Sequence, residues 1–421
     1  MRTALVIGFL VLAGGATAQS LAVDSSVRPL ARPGVAQVVE ARVTTPVASN
    51  ASFKRWVSQF RKRALAQGIK SEIFDRAFRG VGYNAGIVDK DRNQSEFTKQ
   101  IWEYLDSAVS TARVNNGRAA LSKHARLLSR IEARYGVEKE VVAAIWGLES
   151  AYGTFRGSVP IIEALATLAY DTRRPAFFEE QLIAALKILQ AGDTTPRNMT
   201  GSWAGAMGHT QFMPVSYLDF AQDFTGDGRR NIWGDDPADA LASTAAYLVH
   251  HGWTKGQPWG MEVVLPKGFD YSITSERVKK PTRFWEKRGV KSAHGLPLPN
   301  YRRTSILLPA GHQGAAFLIF ENFHVIEKYN TADAYVIGVG HLSDRIRGGA
   351  AIKARWPRGD RALAFTEKQE MQRRLLAKGF DPDGVDGIVG PNTIAAVQAY
   401  QKSVGMVPDG YTSLKILKSL R

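Results

Sequence analysis

"IWGLESAYG" (residues 145–153) is the stretch whose reading decides the fold. It closes an apolar run with one carboxylate, Glu149, and then passes through Ser150, Ala151 and Tyr152 to Gly153. Read as the end of a helix over "EKEVVAAIWGLES" (138–150), it sets Val142, Ile145, Trp146 and Glu149 at i, i+3, i+4 and i+7. The acid then shares a stripe with three apolar side chains. An acid so placed is partly removed from water. Desolvation raises a carboxyl pKa, and a glutamate that keeps its proton near neutrality is what a general acid for glycosidic cleavage requires. The competing structural reading is a glutamate that ends a helix and reaches solvent.

Outward from this stretch the pattern stays helical. In "FKRWVSQFRKRAL" (53–65), "SEFTKQIWEYLDSAVSTARV" (95–114) and "LSKHARLLSRIEARYGV" (121–137) apolar residues recur at three- and four-residue spacing. Strand signals are few: "MEVVLP" (261–266), "TSILLP" (304–309) and "AAFLIF" (315–320). The spacing predicts a mainly α body, α+β in class, with a small β element. With 421 residues and 44% apolar content, the chain has material for a large core and an appendage.

Lys and Arg number 55 against 39 acids, a balance of +16 that would draw the chain to polyanions. "MRTALVIGFLVLAGGATAQS" (1–20) narrows the choice: Arg2, an apolar run from Ala4 to Ala13, then Ala16-Thr17-Ala18 read as a signal peptide cleaved after Ala18. The run is shorter than the roughly 20 residues a bilayer span needs. Without cysteine there is no lipidated anchor and no thiol nucleophile. The expectation is therefore an exported, periplasmic protein without a stable membrane anchor, whose partner is an anionic wall polymer and not nucleic acid. Residues 19–51 read as a flexible leader, 52–356 as the catalytic domain.

After "RWPRGD" (355–360) the pattern changes. "GFDPDG" (379–384) and "GMVPDG" (405–410) share Gly-apolar-x-Pro-Asp-Gly, and each lies beside a helix-like segment, "EKQEMQRRLLAK" and "PNTIAAVQAYQKSV". Residues 361–421 thus read as a C-terminal three-helix domain. With Met371-Gln372, "DGVDGIVGPNT" and "VQAYQ" it resembles the peptidoglycan-binding module found at the ends of wall-degrading enzymes.

"GSWAGAMGHTQFMP" (201–214) supplies context for Glu149. Its glycines permit close backbone approach, and Ser202, Gln211 and Phe212 offer polar and stacking groups suited to a sugar. Together with "GLESAYG" it resembles the membrane-bound lytic murein transglycosylase B family over about residues 52–350. The resemblance implies a lysozyme-like fold with Glu149 as the single acid/base and Ser202 and Gln211 in the glycan cleft. It places Arg173 and Arg174 of "YDTRRPAFF" (170–178) toward the anionic lactyl or peptide part of the substrate; the alternative is a solvated basic turn. Tyr247, Tyr329, Asn330 and Tyr335 fall where the family keeps cleft residues, although a helical tyrosine also serves as core. His250 and His251 have no metal-ligand partners at useful spacing and read as structural.

"DFTGDGRRNIWGDDPAD" (223–239) opens like a calcium loop, with Asp223, Thr225 and Asp227 at alternate positions before Gly228. The twelfth position is Gly234, not glutamate. The resemblance implies a longer loop closed by Asp239, with the Arg229 carbonyl contributing; Asp235 or Asp236 could substitute. Such an ion is structural, and catalysis needs no cofactor. The alternative is an ion-free surface turn. For the reaction, the resemblance implies cleavage of the MurNAc-GlcNAc bond with formation of a 1,6-anhydro end by a monomer acting on peptidoglycan strands. The alternatives are a muramidase using water and a wall-binding protein without activity. Inverting hydrolysis needs a second carboxylate; Glu163 and Asp171 lie in segments that read as scaffold.

Overall fold

A computed structural model of the chain describes residues 50–92 and 99–421. The expected signal peptide and nearly all of the leader lie outside them. The Lys139–Ser150 helix stands at the centre: every residue from Val141 to Ser150 is buried. The apolar stripe is therefore only one side of a helix enclosed all round. Four helices surround it, Thr111–Lys123, Ala125–Tyr135, Ala238–His250 and Asp333–Arg347. Full burial of side chains such as Val142 and Ile145 stabilises by roughly 2 kcal/mol each, and that stabilisation offsets the cost of holding a carboxyl among them.

The surrounding helices are shorter than their sequence periodicity predicts. The run 95–114 enters as helix Ile101–Ala108 and breaks at Val109. Ser110 caps the next helix, its hydroxyl accepting from the Arg113 N–H. His124 makes a second break before Ala125–Tyr135, which ends in left-handed Gly136. Apolar spacing runs through both breaks because each new helix presents its face to the same core.

The sequence after Glu149 is explained by how its helix stops. Ala151, Tyr152 and Gly153 all take positive φ, at 48°, 60° and 84°. Left-handed backbone costs a non-glycine residue roughly 1 kcal/mol or more, so packing must hold it there. Tyr152 folds back so that its hydroxyl donates to the Arg113 carbonyl, 2.8 Å away. Its ring crosses Gly147, where an added Cβ would lie 2.5 Å from a ring carbon. At Gly153 a Cβ would meet the His209 ring, also at 2.5 Å. Gly147 and Gly153 thus make room for the two rings that lock the end of the glutamate helix.

Two short strands, β1 (Val159–Pro160) and β2 (Thr200–Gly201), pair antiparallel at the base of the Gly-rich loop. A second sheet holds β3 (Gly260–Val264), β4 (Lys291–Ser292), β5 (Ser305–Leu307) and β6 (Ala316–Ile319) in the order β4-β3-β6-β5, all antiparallel. β3, β5 and β6 lie where the sequence predicts strands. The sheet carries its own core of Val263, Phe269, Trp285, Ile306 and Phe320. β6 runs directly into helix Glu321–Tyr329, so the sheet fixes the direction from which Tyr329 and Asn330 approach the centre.

Helices Phe365–Ala377, Pro391–Ser403 and Leu414–Leu420 form the expected three-helix unit on a separate core that includes Met371, Leu375, Val397 and Leu417. Its internal repeat differs in register from the sequence reading. Gln372 donates to Asp386 and accepts from the Gly387 N–H; Gln401 donates to Asp409 and accepts from the Gly410 N–H. The structural partner of Asp409-Gly410 is therefore Asp386-Gly387, three residues beyond the Asp383-Gly384 pair that the Gly-apolar-x-Pro-Asp-Gly pattern aligns. The unit rests against the sheet region. Asp409 accepts from the His312 N–H at 3.0 Å, Gln398 donates to the Thr274 carbonyl at 2.9 Å, and Arg277 donates to Asn392 at 2.7 Å.

Candidate active site

Glu149 lies 4% exposed at the end of the enclosed helix, without the route to bulk solvent that a simple helix-terminal acid would have. Its one hydrogen-bond partner is Tyr335, whose hydroxyl donates to Oε1 across 2.5 Å. Desolvation pushes its pKa up from 4.5 to about 8, against the smaller lowering effect of that hydrogen bond. Glu163 and Asp171 are engaged elsewhere as the sequence reading expects: Glu163 accepts from Asn84, and Asp171 pairs with Arg92.

Beside the acid the structure places Tyr335 and Tyr329, and Tyr247 packs against Tyr329. Tyr335 (3% exposed) is on helix Asp333–Arg347, which packs along the glutamate helix. Tyr329 donates to the Thr210 carbonyl at 2.6 Å, joining the end of helix Glu321–Tyr329 to the Gly-rich loop. Its ring lies 5.0 Å from Tyr247 and 5.9 Å from Phe212. Tyr247 in turn donates to the Lys328 carbonyl at 2.5 Å, and Asn330 accepts from the Ala332 N–H. These four residues join segments distant in sequence. His250 and His251 pack their rings against Phe220, in keeping with a structural role.

In the Gly-rich loop Gln211 takes φ 53° and donates to the carbonyls of Gly208 and Arg156, while Ser202 accepts from the Ala206 N–H at 3.0 Å. Both side chains shape their own loop. His209 was not singled out from sequence, and it is the loop's main tie to the helix. Trp146 donates its indole N–H to His209 Nδ1 at 3.1 Å, Nε2 donates to the Gly234 carbonyl at 2.7 Å, and Ser150 donates to the His209 carbonyl at 2.5 Å. Burial lowers the His209 pKa, in keeping with a neutral ring that accepts at one nitrogen and donates at the other. Its place inside the glycine-rich stretch was the only sequence signal.

Arg173 and Arg174 do not stand free in solvent. Both pair with Asp91, which is 1% exposed, at 3.2 and 2.9 Å. Among the described residues Nε and Nη1 of Arg174 have no partner.

The 223–239 loop brings carboxylate oxygens of Asp223, Asp227 and Asp239 within 4.8 Å of one another. Asp223 accepts from Thr225 Oγ1 and from the N–H groups of Gly226, Asp227 and Gly228. Asp239, 2% exposed, accepts from the Phe224, Thr225 and Asn231 N–H groups, and the Arg229 N–H goes to Asp227. Asp235 is drawn to Arg156, and Asp236 accepts from the Ala238 N–H; of the later acids Asp239 is the one whose carboxylate converges with Asp223 and Asp227. Oxygen donors alone suit a hard cation such as calcium.

Residues 52–344 match the family described as Transglycosylase SLT domain, and residues 367–420 match Putative peptidoglycan binding domain. The chain is 34% identical over 256 residues to the membrane-bound lytic murein transglycosylase B of Escherichia coli K12; the match takes in 58% of this chain and 66% of that protein, just under two thirds of its length. Among solved structures it is similar to SltB3 of Pseudomonas aeruginosa in complex with NAG-anhNAM-pentapeptide, at 50% identity and TM-score 0.85, over 88% of this chain and 99% of that one. It is also similar to the Escherichia coli lytic transglycosylase Slt35 in complex with calcium, at 28% identity and TM-score 0.60, over 71% and 94% of the respective chains.

Proposed function

We propose that this chain, which belongs to the transglycosylase SLT domain family, is a lytic murein transglycosylase that cuts the β-1,4 bond from MurNAc to GlcNAc and leaves a 1,6-anhydroMurNAc end. The observation that carries the reading is the buried Glu149 with its raised pKa and Tyr335 on Oε1. At neutral pH the acid holds its proton. Tyr335 occupies one oxygen, which leaves the other to face the bridging oxygen of the glycan. The proton passes to that oxygen, the C1–O bond breaks, and positive charge develops at C1. The resulting carboxylate then takes the proton of the C6 hydroxyl as O6 bonds to C1. Because O6 belongs to the same sugar, it arrives with the entropy of its positioning already lost, and no water need be activated. The NAG-anhNAM-pentapeptide bound to a protein 50% identical to this one supports the anhydro product.

In this reading Ser202, Gln211, Tyr247, Tyr329 and Asn330 shape the glycan cleft. Arg173 and Arg174, both held by Asp91, meet the anionic lactyl or peptide part. Asp223, Asp227 and Asp239, with Thr225 and the Arg229 carbonyl, hold a calcium ion that stabilises the loop and takes no part in the chemistry. The three-helix unit at 361–421 holds the wall, and the protein acts as an exported periplasmic monomer. No helix among the described residues is long and apolar enough to cross a membrane.

Digestion of purified wall in ¹⁸O-labelled water tests the reaction. Transglycosylation gives muropeptides lighter by one water than hydrolase products and without label at the new MurNAc end. Heavy-isotope reducing ends would replace the reading with a muramidase.

A further inference from the structure

A second group of metal-ligating side chains lies apart from both Glu149 and the 223–239 loop. Glu276 comes from the segment between the single turn Tyr271–Ile273 and helix Thr282–Glu286, and His324 and Glu327 come from one face of helix Glu321–Tyr329. One donor atom from each of the three lies within 4.8 Å of the other two. His324 Nδ1 and Glu327 Oε2 are 3.0 Å apart. Asp333, at the start of the helix that carries Tyr335, hydrogen-bonds to Glu276. His324 is 21% exposed and Glu327 29%, so the group is accessible to an ion and sheltered from bulk water. Among the described residues no lysine or arginine forms an ion pair with Glu276, Glu327 or Asp333: Lys279 and Arg303 are both taken by Glu321, and Arg277 donates to Asn392. Three carboxyl groups and an imidazole thus converge without a counter-cation.

We infer that Glu276, His324 and Glu327 form a binding site for a zinc-class divalent cation, with Asp333 holding Glu276 in place. The donor set favours this class. Imidazole suits zinc and its neighbours in the first transition row, and carboxylates add charge and hardness. With metal–donor bonds of roughly 2.1 Å, adjacent ligands of an octahedron stand about 3.0 Å apart and tetrahedral ones about 3.4 Å. His324 and Glu327 now hydrogen-bond to each other at 3.0 Å, a bond that an ion would replace, and the convergence of the set within 4.8 Å admits either geometry. His and Glu at i and i+3 on a helix also supply two ligands from one rigid element.

The position gives such an ion a structural consequence. Glu276 lies between Thr274 and Arg277, the two residues through which its segment holds Gln398 and Asn392 of the three-helix unit. Glu327 lies two residues before Tyr329, and Asp333 two before Tyr335. A cation here ties the segment facing the C-terminal unit to the helices bearing Tyr329 and Tyr335 of the candidate active site.

The test uses the full chain carrying Asp223→Ala and Asp227→Ala, so that the calcium-type loop takes no ion, and it does not depend on activity. Equilibrium dialysis against zinc chloride followed by metal analysis should find one equivalent bound, and Mn²⁺ as a paramagnetic probe should be displaced by zinc. His324→Ala and Glu276→Gln should each weaken zinc binding at least tenfold, whereas the remote Glu72→Gln leaves it unchanged. Zinc should raise the melting temperature of the parent and not that of Glu276→Gln, whose circular dichroism reports that the fold is retained. A chain that retains no zinc, or retains it equally in both cluster variants, overturns the site. So does a zinc-indifferent chain whose Glu276→Gln variant loses affinity for amine-bearing muropeptides, since the acids would then serve a substrate ammonium.

Discussion

Glu149 and Asp223 are both carboxylates in segments picked out from sequence, and the chain has moved their proton affinities in opposite directions. Glu149 is enclosed by an apolar helix bundle and receives one hydrogen bond, so desolvation dominates and its pKa rises to about 8. Asp223 is partly exposed. Desolvation is the largest single effect on it and acts upward, but the Gly228, Gly226 and Asp227 N–H groups and the Thr225 hydroxyl together outweigh it and hold the carboxyl below its usual range. One environment stores a proton, the other stores a negative charge. The difference teaches that burial weighed against donors sets the direction: Asp239, 2% exposed, is still raised by desolvation despite three backbone N–H donors, so donors prevail at Asp223 because it is open to water.

The strongest way to break the comparison is to remove the stored proton. Glu149→Gln keeps the size of the side chain and an oxygen for the Tyr335 hydroxyl, and it should lower kcat on purified wall by about 10³-fold or more, since positioned acid-base groups contribute roughly 10²–10⁴-fold each. Stability should move the other way. The native state binds this proton more tightly than the unfolded chain, so the contribution to stability is complete below pH about 4.5 and is lost as pH rises toward about 8. Glu149→Gln should therefore melt a few degrees above wild type at pH 8 and level with it at pH 4, read by calorimetry. A variant less stable than wild type at pH 8 would show that Glu149 is not strained by burial.

Next in size is Tyr335→Phe. The hydroxyl lowers the Glu149 pKa by stabilising the carboxylate, and a single hydrogen bond is worth about 1 kcal/mol, more when the acceptor is charged. Its loss should raise the Glu149 pKa, moving the basic limb of the kcat/KM profile up by about one pH unit, and slow turnover about tenfold. An unchanged basic limb with lowered activity would reduce Tyr335 to packing.

These tests bear unequally on what was legible in the sequence. The enclosure of Glu149 was half visible: Val142, Ile145 and Trp146 marked one side, but the burial of Ala143, Ala144 and Gly147 on the others depends on helices distant in sequence. Strands β3, β5 and β6 were visible as short apolar runs, whereas β4, at two residues, leaves no period to detect. Helix breaks at Ser110 and His124 were hidden because the apolar spacing continues through them. Among the candidate site residues, Asp223 and Asp227 of the 223–239 loop were readable from alternation and a glycine, whereas Asp239 came only through the resemblance, with Asp235 and Asp236 as substitutes. The pairing of Arg173 and Arg174 with Asp91 was not, because it joins segments some eighty residues apart. Nor was the role of His209: a lone histidine in a loop gives no hint that Trp146 will donate to it.

The smallest expected effect sharpens the other side of the comparison. If the converging carboxylates of Asp223, Asp227 and Asp239 serve a cation, calcium should bind the native chain and raise its melting temperature. At a concentration about a hundred times the dissociation constant, mass action adds about 2.7 kcal/mol, which for a chain of this size is a shift of a few degrees. Asp223→Ala and Asp227→Ala should each abolish the shift. Turnover measured well below the melting range should stay within about twofold on chelation, because the hydrogen bonds that carry the loop to Trp146 of the glutamate helix run through His209: the Gly234 carbonyl accepts from His209 Nε2, and His209 accepts from Trp146. Those bonds are made by the backbone of 232–234 and by Arg156, which also grips the Trp233 carbonyl, and none uses an oxygen of the three acids. A large fall in kcat on chelation, with the melting curve still far above the assay temperature, would mean that the ion sets the position of His209 and thereby of Trp146. The two carboxylate environments would then be parts of one device, and the separation between proton store and charge store would fail.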